Sequence, residues 1–274
     1  MMFNNIYDSH CHSNNSHDGH NSVDEMCITA IDRGINGFAL TDHCEVDLYT
    51  GEYINRVDNS FKDIILAKEK YRDKLLLSAG IELGQANFDV KLASEILKRH
   101  NYDFVIGSTH GIGDSGDLCN VNYSNITINE VNDLLERYFK YYLEMVSICD
   151  FDTAAHLTYP LRYIEGVYNI KVDLDKYMDI IDEIFKTVIS RGRALELNTS
   201  GLRQNIKKPF PTIDLIKRYL DFGGELITIG SDSHRISDMA ADFATSLEFL
   251  EYLGLKYYSF YQNRQPNMIS IITR

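Results

Sequence analysis

No apolar run in the 274-residue sequence is long enough to cross a bilayer, which removes membrane-spanning functions from consideration. The opening MMFNNIYDSH carries neither the basic start nor the apolar stretch of a secretory leader, so the chain is expected to keep its first residues and act in the cytoplasm. Cysteine is sparse and solitary: Cys11, Cys27, Cys44, Cys119 and Cys149 form no CxxC pair. That argues against a disulfide framework and a thiolate zinc site, and most of the five read as small buried hydrophobes. Positive charge is in deficit. Against 40 Asp and Glu stand 27 Lys and Arg, a net charge of −13, so a nucleic-acid duplex is repelled unless a local groove or bound cations reverse the field. A small anion meets a weaker obstacle, because divalent cations would put positive charge where it lands. Linkers and low-complexity tracts are also absent, and residues 1–274 are expected to form one domain.

Apolar runs that end in turn residues give seven strand candidates, at 5–12, 37–43, 75–82, 104–110, 151–156, 194–198 and 226–232. Amphipathic stretches lie between or beside them at 22–33, 59–71, 89–100, 129–148, 173–191 and 213–222, with Ser22, Asn129 and Thr212 as expected N-caps. This alternation predicts an α/β fold with a parallel sheet, and seven repeats at this length favour a closed barrel over an open sheet. Two loops are expected at its mouth: 111–125, rich in Gly, Asn, Asp and Ser, and the stretch holding Pro209 and Pro211 after the sixth strand.

Side chains of ligand type stand at or just beyond the C-terminal end of six of the seven strands, the sixth being the exception, and parallel barrels place their chemistry at that face. In DSHCHSNNSHDGH, His10 and His12 are two apart on a strand and share a face, while Cys11 points away. Asp18 follows in the loop, with His17 and His20 as rivals. The second strand delivers His43 behind Asp42, the third Glu82, the fourth His110, the fifth His156 and the last Asp232 and His234. A single strand-end histidine is equally well explained by a hydrogen bond, and a strand-end Asp by a helix cap. The conjunction favours chemistry, because six of the nine histidines occupy these termini. Glu82 is the sharpest case: an unpaired carboxylate leaving an apolar strand would cost several kcal/mol, and bridging two cations removes that cost. Nitrogen and oxygen donors without thiolate suit Zn²⁺, Mn²⁺ or Fe²⁺. Nine donors are too many for one ion and suit two or three, spaced roughly 3.5 to 4 Å apart.

Taken in order, DSHCHS with its trailing HDG, TDH, GIELG, GSTHG, TAAH and GSDSH resemble the polymerase and histidinol phosphatase (PHP) family, above all its histidinol-phosphate phosphatase branch, over nearly the whole chain. The resemblance implies a distorted (β/α)7 TIM-like barrel with outer helices and a trinuclear metal centre. It implies His10, His12, Glu82 and Asp232 around one ion, Glu82, His110 and His156 around a second, and Asp18, His43 and His234 around a third, with His17 a one-residue rival of Asp18. HLTYPLRY and LELNTSGLR match the same branch, which implies that Arg162 and Arg203 bind substrate phosphate through paired guanidinium donors. The implied reaction is hydrolysis of L-histidinol phosphate to L-histidinol and phosphate in histidine biosynthesis, with His234 or Asp232 as a proton relay. Asp8 and Asp42 are expected to orient ligand histidines; the pocket for the substrate's imidazole and amine is not legible in the residues, Tyr159, Tyr163 and acidic loop residues being its candidates. A phosphoesterase of nucleotides or nucleic acid is the rival within the same chemistry, disfavoured by the acidic balance. Hydrolysis of another small phosphomonoester and a non-catalytic metal-binding barrel are the remaining alternatives. Neither the native metal nor the oligomeric state is legible in the residues.

Overall fold

The computed structural model describes residues 5–113 and 116–271; residues 114 and 115 of the expected 111–125 loop lie outside them. In chain order the strands are β1 (Tyr7–Cys11), β2 (Gly37–Leu40), β3 (His43–Glu45), β4 (Leu76–Gly84), β5 (Phe104–Ser108), β6 (Thr153–Ala154), β7 (Ala194–Asn198), β8 (Ile227–Gly230), β9 (Tyr257–Gln262) and β10 (Gln265–Ser270). Seven of them pair side by side in parallel in the order β1, β2, β4, β5, β6, β7, β8, and the short β3 pairs with the upper part of β4. The ring returns on itself through a parallel bridge between Cys11 and Ser233. His12 N donates to Ser233 O at 2.8 Å and Asp232 N to His10 O at 2.9 Å across that seam. The expected parallel barrel is therefore present and nearly closed.

The helices are α1 (Val23–Arg33), α2 (Glu52–Tyr71), α3 (Val90–Leu97), α4 (Ile128–Ile148), α5 (Leu161–Ile164), α6 (Met178–Ser190), α7 (Ser200–Arg203), α8 (Ile213–Asp221) and α9 (Phe243–Tyr252). Their apolar stripes face inward: α4 buries Val131, Leu135, Tyr138, Phe139, Tyr142, Met145 and Val146, a spacing of three and four residues that holds one face on the sheet. Ser22 caps α1 as expected, in a reciprocal pair with Glu25. The cap of α4 is Thr127, paired with Glu130, and not Asn129, because the Thr hydroxyl reaches the third backbone N–H while the Glu carboxylate reaches back. Thr212 precedes α8 without a side-chain bond. Among the described residues no helix is long and apolar enough to cross a membrane.

An antiparallel hairpin, β9 with β10, is absent from the sequence reading and seals the end of the barrel where the strands begin. Its two turn residues, Asn263 and Arg264, both have positive φ (51° and 60°), the geometry a two-residue hairpin loop demands. Phe260 and Tyr261 pack with Ala39, Phe104, Ile106, Ala155 and Ala194, and their rings lie 5.2 Å from Tyr7 and 5.1 Å from Phe104 respectively. Backbone and side-chain bonds pin the hairpin there: Arg264 N donates to Asp103 O, Gln262 to Leu77 O and Ser78 to Tyr261 O. With one end sealed, the candidate chemistry is confined to the other.

Candidate metal centre

Period two along β1 places His10 and His12 side by side, ring centroids 5.0 Å apart, despite a bulge between Asp8 and Cys11. The second predicted strand breaks at Thr41 and Asp42 and resumes as β3, so that His43 comes into register with Glu82 on β4. His156 and Asp232 follow β6 and β8 with φ of +25° and +52°, a backbone region that costs non-glycine residues about 1–3 kcal/mol. Both are held there from outside: Glu196 Oε2 accepts from His156 N at 2.8 Å, and His10 O accepts from Asp232 N.

These elements converge on Glu82, a fully buried carboxylate. Its Oε1 lies 3.0 Å from His156 Nε2 and 3.1 Å from His110 Nε2; its Oε2 lies 2.8 Å from His43 Nδ1, 3.3 Å from His10 Nε2 and 3.6 Å from His12 Nε2. Asp232 Oδ1 faces His12 Nε2 at 3.5 Å and His234 Nδ1 at 3.6 Å. Asp18 closes the outer side, 3.1 Å from His234 Nε2 and 3.7 Å from His43 Nε2. All nine side chains proposed from the sequence thus stand together. His43 has one ring nitrogen toward Glu82 and the other toward Asp18 and His234, so the inner and outer groups share it. His17 is exposed beside Asp18, with its Nδ1 3.8 Å away, and the side chain of His20 points to solvent.

Two carboxylates absent from the sequence reading hold the rings. Glu196, on the strand expected to contribute nothing, has Oε1 2.6 Å from His10 Nδ1; Glu45 Oε1 is 2.9 Å from His110 Nδ1. A carboxylate on Nδ1 fixes the tautomer and leaves Nε2 as the donor directed at the centre. Each carboxylate packs over a glycine: a Cβ at Gly84 would come within 1.9 Å of Glu45 Oε2, and one at Gly230 within 2.5 Å of Glu196 Oε1 and 2.4 Å of His10 Cβ. Asp8 and Asp42, expected to orient histidine rings, do other work. Asp8 accepts from Ser231 N and Oγ and from Ala240 N, tying β1 to the segment that carries Asp232. Asp42 accepts from Ser13 N, Ser13 Oγ, Ser16 Oγ and Ser60 Oγ, and reaches a ring only through Ser16, whose Oγ is 3.1 Å from His12 Nδ1. Backbone N–H groups and hydroxyls of the nearby loops lie closer to these two carboxylates than any imidazole does.

Burial works against every charge here, and neighbours decide the outcome. For Glu82 burial pushes the pKa up, but His43, His110 and His10 outweigh it and the carboxyl sits well below its usual range. Asp232 is likewise held low, by His12, His10 and Arg162 against burial. Burial and the neighbouring His234 and His43 push His12 down, and burial pushes His156 down. The same burial is overcome at His10 by Glu196 and Glu82, at His110 by Glu45 and Glu82, and at His43 chiefly by Glu82, which pushes it up to about 9. His10 Nε2, His12 Nε2 and Glu82 Oε2 are buried without a hydrogen-bond partner. Such orphans cost about 1–3 kcal/mol each. Those three atoms lie within 4.8 Å of one another, as do donors of His43, Glu82 and His110, and of His12, His43 and His234. A set of imidazole and carboxylate donors that share members and converge in this way fits a cluster of divalent cations.

The centre opens into a cavity of about 660 Å³ lined by His17, Asp18, Glu45, Asp47, Asp117, Tyr159, Arg162 and Tyr163 among others. Tyr159 donates to Asp117 at 3.0 Å, and its hydroxyl is 3.1 Å from that of Tyr163. Arg162 Nη2 bonds Asp232 Oδ2 at 2.8 Å and Ser200 Oγ at 2.9 Å, and its guanidinium lies over the Tyr159 ring. Arg203 does not line this cavity. It lines an adjoining one of about 480 Å³, shared with Arg162, Asp232, His234 and Arg235, and its Nη2 donates to Ser231 O and Asp232 O. Four of the five cysteines are buried as expected, and Cys119 is exposed.

Comparison with known proteins meets this geometry from another side. A family model described as the PHP domain matches residues 8–200. A probable histidinol-phosphatase of Clostridium acetobutylicum is 30% identical over 255 residues, covering 92% of this chain and 95% of that protein; one from Thermotoga maritima is 30% identical over 258 residues, covering 92% and 94%. Among solved structures, histidinol phosphate phosphatase from Lactococcus lactis, complexed with zinc, L-histidinol and phosphate, superposes with a TM-score of 0.77 over 96% of this chain and 98% of that one. At 22% identity that likeness speaks for the fold.

Proposed function

Because this chain belongs to the PHP domain family, we propose that it is a metal-dependent phosphomonoester hydrolase converting L-histidinol phosphate to L-histidinol and phosphate, as one barrel domain acting in cytoplasmic histidine biosynthesis. The observation that carries the reading is the placing of five imidazoles around Glu82 at the open end of the barrel, two of them also facing Asp232. Two or three divalent cations (Zn²⁺, Mn²⁺ or Fe²⁺) would lower the pKa of a water molecule to make the nucleophile and would neutralise phosphoryl oxygens. We assign their binding to His10, His12, Asp18, His43, Glu82, His110, His156, Asp232 and His234.

The protein's own groups do the rest. Glu196 and Glu45 keep His10 and His110 in one tautomer, so no reorganisation is needed when substrate arrives. Arg162, positively charged at the border of the cavity, stabilises charge on the transferring group, and Arg203 supports it from the adjoining space. The leaving alkoxide needs a proton, which a water molecule would supply, and we assign its relay to His234 or Asp232, whose side chains lie 3.6 Å apart. Tyr159, Tyr163 and the nearby carboxylates give the cationic, aromatic half of the substrate its surroundings.

The test pairs metal analysis of the purified protein with phosphate release from histidinol phosphate, a nucleotide and an aryl phosphate. Metal should be bound and histidinol phosphate should have the highest kcat/KM. Preference for the nucleotide would reject the substrate, and absence of any turnover by the metal-loaded protein would reject the activity.

A further inference from the structure

The five imidazoles around Glu82 are not held alike. His10 and His110 rest Nδ1 on carboxylates, Glu196 at 2.6 Å and Glu45 at 2.9 Å. His43 turns its own Nδ1 to Glu82, and His156 Nδ1 has no hydrogen-bond partner among the described residues. His12 meets a hydroxyl instead: its Nδ1 is 3.1 Å from Ser16 Oγ. A hydroxyl can give or take a hydrogen, so by itself it does not choose the tautomer of an imidazole.

Here the choice is made one residue further out. Asp42 receives four donors, from Ser13 N at 2.6 Å, Ser13 Oγ at 2.7 Å, Ser16 Oγ at 2.8 Å and Ser60 Oγ at 2.6 Å. Ser16 has one hydroxyl hydrogen, and it is committed to Asp42. Its oxygen is left to accept, and it does so twice: from His43 N at 3.1 Å and from His12 Nδ1. His12 therefore carries its hydrogen on Nδ1 and directs the lone pair of Nε2 at the centre. The arrangement has little room to drift. Ser16 is buried, its N donates to Ser13 O at 3.0 Å, and Ser60 ties the carboxylate to α2. The rings of His12 and His43 stack with centroids 4.3 Å apart, and His43 is the one shared by the inner and outer groups.

We propose that Ser16 is a positioning residue for the metal centre, a relay through which Asp42 fixes the tautomer of His12 and the backbone of His43 together. One carboxylate thereby acts on donors to two neighbouring cations, whereas Glu196 and Glu45 each reach a single ring. The cations rest on the function proposed above; the order of hydrogen bonds does not.

The experiment uses the zinc-loaded full chain with labelled histidine, followed by nuclear magnetic resonance, hydrogen exchange and chelator competition. In the unmodified protein the His12 Nδ1–H and the His43 amide should both exchange slowly with solvent. Ser16→Ala should open both to fast exchange and weaken zinc binding by about tenfold, the low end for a ligand that loses its outer partner. Ser16→Thr, which keeps the hydroxyl, should recover most of that affinity. Ser60→Ala is the control, since it removes a donor to the same carboxylate that makes no bond to a histidine among the described residues. Its stability should fall while zinc affinity and both exchange rates stay as in the unmodified protein. Unchanged affinity and exchange in Ser16→Ala, hydrogen on Nε2 of His12 in place of Nδ1, or equal losses in Ser60→Ala overturns the proposal. Failure to take up zinc overturns it together with the proposed function. Zinc uptake that depends on Ser16, without hydrolysis of histidinol phosphate, would instead reject the substrate assignment and leave the relay standing.

Discussion

At the end of the barrel where strands begin, Asp103 accepts from Ala79 N, Asn263 N and Lys68, and Asp152 from Val105 N, Arg264 and Arg193, so both oxygens of each carboxylate are engaged. At the end where strands finish, Glu82 Oε2 and the three imidazole nitrogens facing it, of His10, His12 and His43, have no hydrogen-bond partner, and His156 and Asp232 sit in costly backbone conformations. The first end is arranged for stability and the second departs from it. Buried charge without complete partners is tolerated where function requires it and compensated elsewhere. If the contrast is right, substitutions at the two ends should separate stability from chemistry.

The largest effect is expected from Glu82→Gln, which removes the shared carboxylate: activity should fall by about 10³-fold or more with loss of metal, while circular dichroism still reports a folded barrel. Normal turnover by that variant would break the assignment at its centre. Phe260→Ala, at the sealed end, should cost about 3–4 kcal/mol of stability in denaturant unfolding, with kcat of the folded fraction unchanged; a collapse of kcat without loss of stability would mean that the two ends are not separable. Glu196→Gln should weaken metal binding by about 10- to 100-fold, measured by chelator competition, because His10 loses its anchor; unaltered affinity would reduce Glu196 to packing. The smallest effect is protonic. His10, His43 and His110 have raised pKa values in the metal-free chain, with His43 up to about 9, so at neutral pH they hold protons that a cation must displace. Metal uptake should therefore release protons and weaken as pH falls, and calorimetry in buffers of different ionisation enthalpy should detect it; a heat independent of buffer would contradict the protonation pattern.

The walls of the barrel are legible in the residues because each strand is an apolar run ending in turn chemistry, and the nine candidate side chains are legible because they recur at those endings. The hairpin is missed for a physical reason: YYSFYQ and QPNMIS flank a two-residue turn of Asn and Arg, without the glycine that usually signals one. Glu196 is missed although the signal was present. A carboxylate inside ALELN raises the same question as one inside GIELG, but it lies within its strand rather than at the end, where ligands were sought. Glu45 offered less, since it lies two residues beyond the expected end of the second strand and only pairing of β3 with β4 turns it inward. Asp8 and Asp42 show the converse limit: adjacency to histidines in sequence does not tell which hydrogen-bond donors a carboxylate will meet in space.

The sealing hairpin also orders events in time. Every wall strand leaves the ribosome before residues 257–270, yet Tyr258 both donates to Asn5 O and accepts from Tyr7 N, at the start of the first strand. A growing chain halted before Tyr257 has walls and no floor, and its opening strand lacks those two bonds. Completion of the barrel during synthesis thus waits on a segment that takes no part in the chemistry.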